Sequence, residues 1–324
     1  MAMRLAVRYL QSLFLLMVSL TPTGVGQQLQ ASHDNVASER FAQLRERALA
    51  GSAHDQYLLG VAYIVTRDYN QAVKWEQMAA GQGLSDAQFV LGYLYEQGYG
   101  VRKDYNSAVQ LYRAAAQSGH ADAENNLASM YQYGRGVKRS LQEAFKWYRI
   151  SAEHGNPVAQ SNLAALYFRG QGVPQNYSQA VVWFRMAADA GNPVAQRSLG
   201  YMYCTGIGVA LDYGEAVRFT RLAAEQGYAL AETDLGHMYE QGKGVPLDYV
   251  AAYIWYSAGK VGGDERALSR LKSLSQLMGH GQIDEAERAL SKVEEARRET
   301  PTVRQVPTDV QSSTKGNSAI PIKH

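Results

Sequence analysis

Apolar and polar positions recur along this chain with a period of 36 residues. One column is leucine throughout: Leu59, Leu91, Leu127, Leu163, Leu199 and Leu235. Four residues later stands a column of tyrosine: Tyr63, Tyr95, Tyr131, Tyr167, Tyr203 and Tyr239. A spacing of four places both on one face of a helix, here called helix A. The position after each leucine is small (Gly60, Gly92, Ala128, Ala164, Gly200, Gly236), which lets a second helix approach closely. The leucine and tyrosine stripe is therefore expected to be core.

A second helix follows a glycine turn. Its first signal is a residue able to accept a bond from an unpaired first-turn amide: Asp68, Asp104, Ser140, Asn176, Asp212 and Asp248. In four repeats Gln71, Glu143, Gln179 or Glu215 stands three residues on, which makes a capping-box pattern. Helix B then carries a core column of Ala72, Ala108, Ala144, Ala180, Ala216 and Ala252. Three residues further come Trp75, Leu111, Trp147, Trp183, Phe219 and Trp255. Gly119, Gly155, Gly191 and Gly227 end successive B helices, where a residue of positive φ commonly stops a helix.

The turns between A and B read GYGV, GRGV, GQGV, GIGV and GKGV from Gly98, Gly134, Gly170, Gly206 and Gly242. A glycine-rich loop can cradle a phosphate. A catalytic loop occurs once per site, however, and this one occurs once per repeat. The chain has no G-x-x-x-x-G-K-[ST] motif. The turn is read as a chain reversal with its valine plugging the hairpin end.

One hairpin cannot bury both apolar faces, whereas stacked hairpins can. The expected fold is all-α: a right-handed superhelical α/α solenoid of six repeats at 51–82, 83–118, 119–154, 155–190, 191–226 and 227–262. The first repeat is four residues shorter because it lacks the glycine insert. Residues 27–50 read as a linker and an N-terminal capping helix. Residues 263–298 read as two C-terminal capping helices, Asp264–Leu277 and Gln282–Arg298. Residues 299–324 hold three prolines and few large apolar side chains, and read as a disordered tail.

The string LGYLYEQGYGVRKDYNSAVQLYRAAAQSG resembles a Sel-one-like repeat, a relative of the tetratricopeptide repeat with a longer A–B loop. The resemblance covers about residues 51–262. It implies an α/α solenoid that mediates protein–protein contacts, in a family with many exported bacterial members. A cysteine-rich branch closes each hairpin with a cysteine pair and has been linked to penicillin binding and β-lactam hydrolysis. This chain departs from that branch, because Cys204 is its one cysteine.

The start of the chain adds a location. Arg4 and Arg8 precede a short apolar run from Leu10 to Leu20, with Gly24 and Gly26 after it. This is the pattern of a signal peptide over 1–26, and the run is too short to span a membrane. The expected product is exported, periplasmic or secreted, with no transmembrane segment after cleavage. Apart from those two arginines, 30 basic and 30 acidic side chains balance. That balance argues against a nucleic-acid partner.

Candidate chemistry is sparse. Ser257 to Lys260 and Ser269 to Lys272 match Ser-x-x-Lys, but the supporting S-D-N and K-T-G elements are absent. No HExxH pair occurs, and no metal or cofactor site is expected. Arg113, Arg149, Arg185 and Arg221 form a column on helix B, read as a solvated or ion-paired row. The expected function is non-enzymatic: a protein or peptide partner held in the concave groove that helix A lines. The face opposite the leucine–tyrosine stripe supplies its candidates. They are Phe89, Tyr93, Glu96, Asn125, Gln132, Ser161, Phe168, Arg197, Tyr201, His237 and Glu240. Phe89, Tyr93, Phe168 and Tyr201 are expected to be exposed anchors. The rival reading is a cell-wall role, either peptidoglycan binding or weak β-lactam hydrolysis.

Overall fold

The computed structural model describes residues 39–299, with side chains from 39 to 292. The signal segment at 1–26, the linker up to residue 38 and the tail after residue 299 lie outside the described residues. Within them are fifteen helices and no strand. The chain divides into two compact units after His154. In unit 1 a helix over 39–49 (α1) precedes three hairpins. These are α2 (Ala53–Val65) with α3 (Tyr69–Gly81), α4 (Ser85–Gln97) with α5 (Tyr105–Gln117), and α6 (Ala121–Tyr133) with α7 (Leu141–Glu153). Unit 2 has α8 (Pro157–Arg169) with α9 (Tyr177–Asp189), α10 (Pro193–Thr205) with α11 (Tyr213–Glu225), and α12 (Ala229–Gln241) with α13 (Tyr249–Val261). The helices α14 (Glu265–Ser275) and α15 (His280–Glu299) follow and pack on α13.

The predicted capping residues begin every B helix. Asp68, Asp104, Ser140, Asn176, Asp212 and Asp248 each accept a bond from the backbone amide three residues on. Helix A has caps of its own that the repeat pattern did not single out: Ser52, His120, Asn156 and Asn192. Gly98, Gly134, Gly170, Gly206 and Gly242 stop helix A in the left-handed conformation. The second glycine of the turn does a different job. A Cβ on Gly136 would land on the backbone carbonyl of Tyr105, the first residue of the preceding B helix. This glycine is what brings one repeat against the next.

Every member of the leucine column and of the helix B alanine column is buried. The tyrosine column is not, which corrects the expectation. All six of these tyrosines are half-buried, and the hydroxyls of Tyr95, Tyr131, Tyr203 and Tyr239 bond across the seam to the B helix before them. Arg113 donates to Tyr131 at 3.0 Å, Arg185 to Tyr203 at 2.6 Å and Arg221 to Tyr239 at 2.7 Å. In these three repeats the arginine column links neighbouring repeats instead of forming a solvated row.

The fully buried aromatics stand one residue after the tryptophan column: Tyr112, Tyr148, Phe184 and Tyr256. Each falls opposite the small residue of its own helix A. A Cβ on Gly92 would meet the Tyr112 ring at 2.9 Å, and one on Gly236 the Tyr256 ring at 2.8 Å. The small residue on helix A thus leaves a socket for the hairpin's own aromatic in these repeats. Truncating such a side chain to alanine typically costs about 3–5 kcal/mol.

Candidate functional site

An A helix inside either unit is packed on two sides, by its own B helix and by the preceding one. So α4 lies against α3 and α5, and α6 against α5 and α7; α10 lies against α9 and α11, and α12 against α11 and α13. Two neighbours leave a much narrower open strip than the half-cylinder opposite the leucine stripe. The proposed groove positions feel this directly. Tyr93, Glu96, Asn125, Ser161 and Arg197 are buried. Phe89, Gln132, Phe168, Tyr201, His237 and Glu240 are half-buried. None of the four aromatics is largely exposed, and Tyr93 retains only 5% of its surface.

The position five after each leucine faces the partner helix of its own hairpin. Tyr112 on α5 donates its hydroxyl to Glu96 Oε2 on α4 at 2.7 Å. Tyr148 on α7 donates to Gln132 Oε1 on α6 at 2.8 Å. Tyr256 on α13 donates to Glu240 on α12. Where helix B carries Phe184 instead, with no hydroxyl to satisfy, helix A carries Phe168, packed on the same cluster. In register with these, Cys204 stands opposite Thr220, and Ile64 opposite Glu76. A column that varies along the chain is therefore one half of a pair, matched repeat by repeat to its partner. Burial raises the Glu96 carboxyl above the usual carboxylate range, while the bond from Tyr112 and the nearby Arg135, at 3.6 Å, counter this.

Arg197 belongs to a buried ionic network. Its Nε lies 2.6 Å from Asp234 Oδ2, and only 4% of the residue is exposed. Arg266, from α14, reaches the other oxygen of Asp234 at 3.2 Å and Asp264 at 2.7 Å. These bonds tie α10, α12 and α14 together. Asn125 donates to Asn126 at 3.2 Å. Phe89 stacks on His120 at 4.8 Å, and the His120 imidazole accepts from the Ala123 amide and lies 3.3 Å from Asp86.

What stays open on helix A differs between the units. In unit 1 it includes part of Phe89, Ser129 and the exposed Tyr133. In unit 2 Tyr201 and His237 occupy the same register on α10 and α12, next to exposed Thr205 and Gln241. The His237 imidazole lies 3.3 Å from Glu240; burial lowers its pKa, against the pull of Glu240. Cys204 is half-buried, and burial pushes its thiol up, away from a reactive thiolate. Ser257 is half-buried on α13, while Lys260, Ser269 and Lys272 are exposed. Among the described residues no group of three or more His, Cys, Asp or Glu is placed to hold a metal ion. None of the described helices is long and apolar enough to cross a membrane.

A glutamine or glutamate five residues after each repeat's first glycine was missed by the pattern of apolar columns. Gln56 donates to the Ala48 carbonyl at 3.0 Å, and Gln196 to that of Ala188 at 3.1 Å, bridging to the helix before. Its sequence signal was the near-invariant series Gln56, Gln88, Glu124, Gln160, Gln196 and Glu232.

Comparison with known proteins identifies the repeat. The family model described as Sel1 repeat matches residues 48–84, 85–120, 121–156, 157–192, 193–228 and 229–259. Among solved structures, the chain is similar to a protective antigen of uropathogenic Escherichia coli strains that displays an SLR fold. That pair shares 35% identity at a TM-score of 0.68, over 78% of this chain and 56% of the antigen. The chain thus spans little more than half of the antigen's length. A Sel1 repeat protein from Oxalobacter formigenes is 32% identical at a TM-score of 0.65, over 73% of this chain and 95% of that one. No curated protein sequence matches.

Proposed function

Because the chain belongs to the Sel1 repeat family, whose members typically serve as interaction scaffolds, we propose that it is a non-enzymatic scaffold that binds a protein or peptide segment. The segment lies along the open strip of helix A. One observation carries this reading. The core columns repeat from hairpin to hairpin, while the open helix A positions change: Tyr201 and His237 in unit 2, Ser129 and Tyr133 in unit 1. Tyr201 rests part of its ring on the core of unit 2 and leaves the remainder open at the edge of the strip. Completing its burial in a partner contributes about 25 cal/mol per Å² before ordering costs. The pattern at residues 1–26 supports an exported protein, periplasmic or secreted, and its balanced charge supports a protein partner over nucleic acid.

The test compares wild type, Tyr201→Ala and Arg218→Ala as immobilised baits for envelope extract. Arg218 is exposed on α11, where it pairs with Glu215. The expected result is a saturable partner whose binding falls about tenfold or more with Tyr201→Ala, the loss of a single anchor. Arg218→Ala leaves it unchanged. Equal retention by wild type and Tyr201→Ala, or turnover of nitrocefin that Ser257→Ala abolishes, overturns the reading.

A further inference from the structure

The A–B turns of unit 1 differ in charge from those of unit 2. They carry Arg67, Arg102, Lys103, Arg135, Lys138 and Arg139. All are exposed at the end of the hairpins. Neighbouring turns touch one another. Tyr99 stacks on Tyr69 of the first repeat at 4.7 Å. Arg135 of the third repeat lies 5.9 Å from the Tyr105 ring of the second and 5.3 Å from that of Tyr133, and Lys103 lies 5.0 Å from Tyr105. The six cations lie on these three turns, and the ring contacts join neighbouring turns into a basic and aromatic edge. Of the carboxylates at these turns, Asp68 and Asp104 cap α3 and α5, and Glu96, buried under Tyr112, takes one edge of Arg135 at 3.6 Å. In unit 2 the corresponding turns carry two cations, Arg169 and Lys243, beside the capping Asp212 and Asp248, and expose Leu211 and Leu247 at 56% and 58%.

From this we propose that the turn edge of unit 1 docks an acidic peptide segment of a protein partner. The surface lies on the turns and meets the helix A strip only at Tyr133, so the inference goes beyond the function proposed above. The charge is concentrated on one edge of a chain whose basic and acidic side chains balance overall, which is how complementary surfaces gain specificity and encounter rate. A membrane surface fits less well, because the turns with large exposed apolar tips belong to unit 2. Nucleic acid fits less well too, because the chain as a whole lacks the basic excess that a polyanion partner calls for.

The experiment titrates the full chain into a fluorescein-labelled peptide of five Gly-Glu repeats and follows anisotropy. The same peptide with glutamine for glutamate is the control. Binding of the glutamate peptide alone, weakened as salt is raised, is the expected result. Arg102→Glu with Lys138→Glu weakens it at least tenfold, as loss of complementary charge does, whereas Lys243→Glu with Lys260→Glu leaves it unchanged. A milder pair, Arg102→Gln with Lys138→Gln, guards against a misfolded reversal variant, and far-UV circular dichroism checks both. The proposal is overturned by no binding at low salt, by equal binding of the glutamine peptide or by full binding to both unit 1 variants. Tighter binding of duplex DNA or phosphatidylglycerol vesicles through the same residues also overturns it. The Tyr201 bait experiment is untouched by any of these outcomes.

Discussion

Glu76 occupies the helix B column that elsewhere holds Tyr112, Tyr148, Phe184 and Tyr256. It is fully buried, and neither carboxylate oxygen accepts a hydrogen bond among the described residues. Its register partner on helix A is Ile64, which offers no polar atom. Burial, and then the charge of Asp86 on α4, push its pKa well above the ordinary 4.5; Tyr57 on α2 also lies nearby. A folded-state pKa raised above the unfolded one gives stability that is complete below pH 4.5 and lost as pH rises toward the folded value. Glu76→Gln removes this dependence. Thermal melts of the two proteins should coincide most closely near pH 4.5, with the variant gaining steadily as pH rises. A gap that stays constant or closes with rising pH contradicts the assignment. The same pairing explains what was legible at this scale. The leucine, alanine and capping columns repeat without change and were read from sequence alone. Glu96, Gln132, Phe168 and Glu240 vary, and so resembled a binding surface until their partners on helix B were known.

At the scale of the element, the turn glycines were correctly read as structural, but their two duties were not separable in sequence. The first stops helix A with a positive φ, whereas the second admits the preceding repeat. Gly136 combines both constraints, with φ of 66° and the Tyr105 carbonyl in the place of a Cβ. Gly136→Ala should therefore cost about 2 kcal/mol or more, since the left-handed conformation alone costs roughly 1–2 kcal/mol for an L-residue. Gly155→Ala is the matched control: its φ is 83°, but nothing lies within 4 Å of the added atom. Denaturant melts should rank Gly136→Ala below Gly155→Ala, and equal midpoints would show that close approach is not what the second glycine provides. The open side of helix A was misjudged for a related reason. Periodicity locates the apolar stripe of one helix, but not how many neighbours cover the rest. Arg197 shows the consequence: a charged residue off the stripe, read as solvent-facing, is buried against Asp234. Nothing local in its own repeat announces Asp234, which is 37 residues away, one repeat further on.

At the scale of the whole molecule, function rests on what the repeated core leaves uncommitted. Each unit spends its leucines, alanines and buried aromatics on holding hairpins together, and the proposed contacts fall on side chains outside those columns: Tyr201 on α10, Tyr133 on α6 and the basic turns of unit 1. The most direct measurement is photo-crosslinking in the cell, with p-benzoylphenylalanine placed at Tyr201 and, in a second protein, at Arg218. A discrete crosslinked protein at Tyr201 and none at Arg218 is the predicted result. Crosslinks confined to Arg218, or the same pattern at both positions, would contradict a scaffold that binds through helix A.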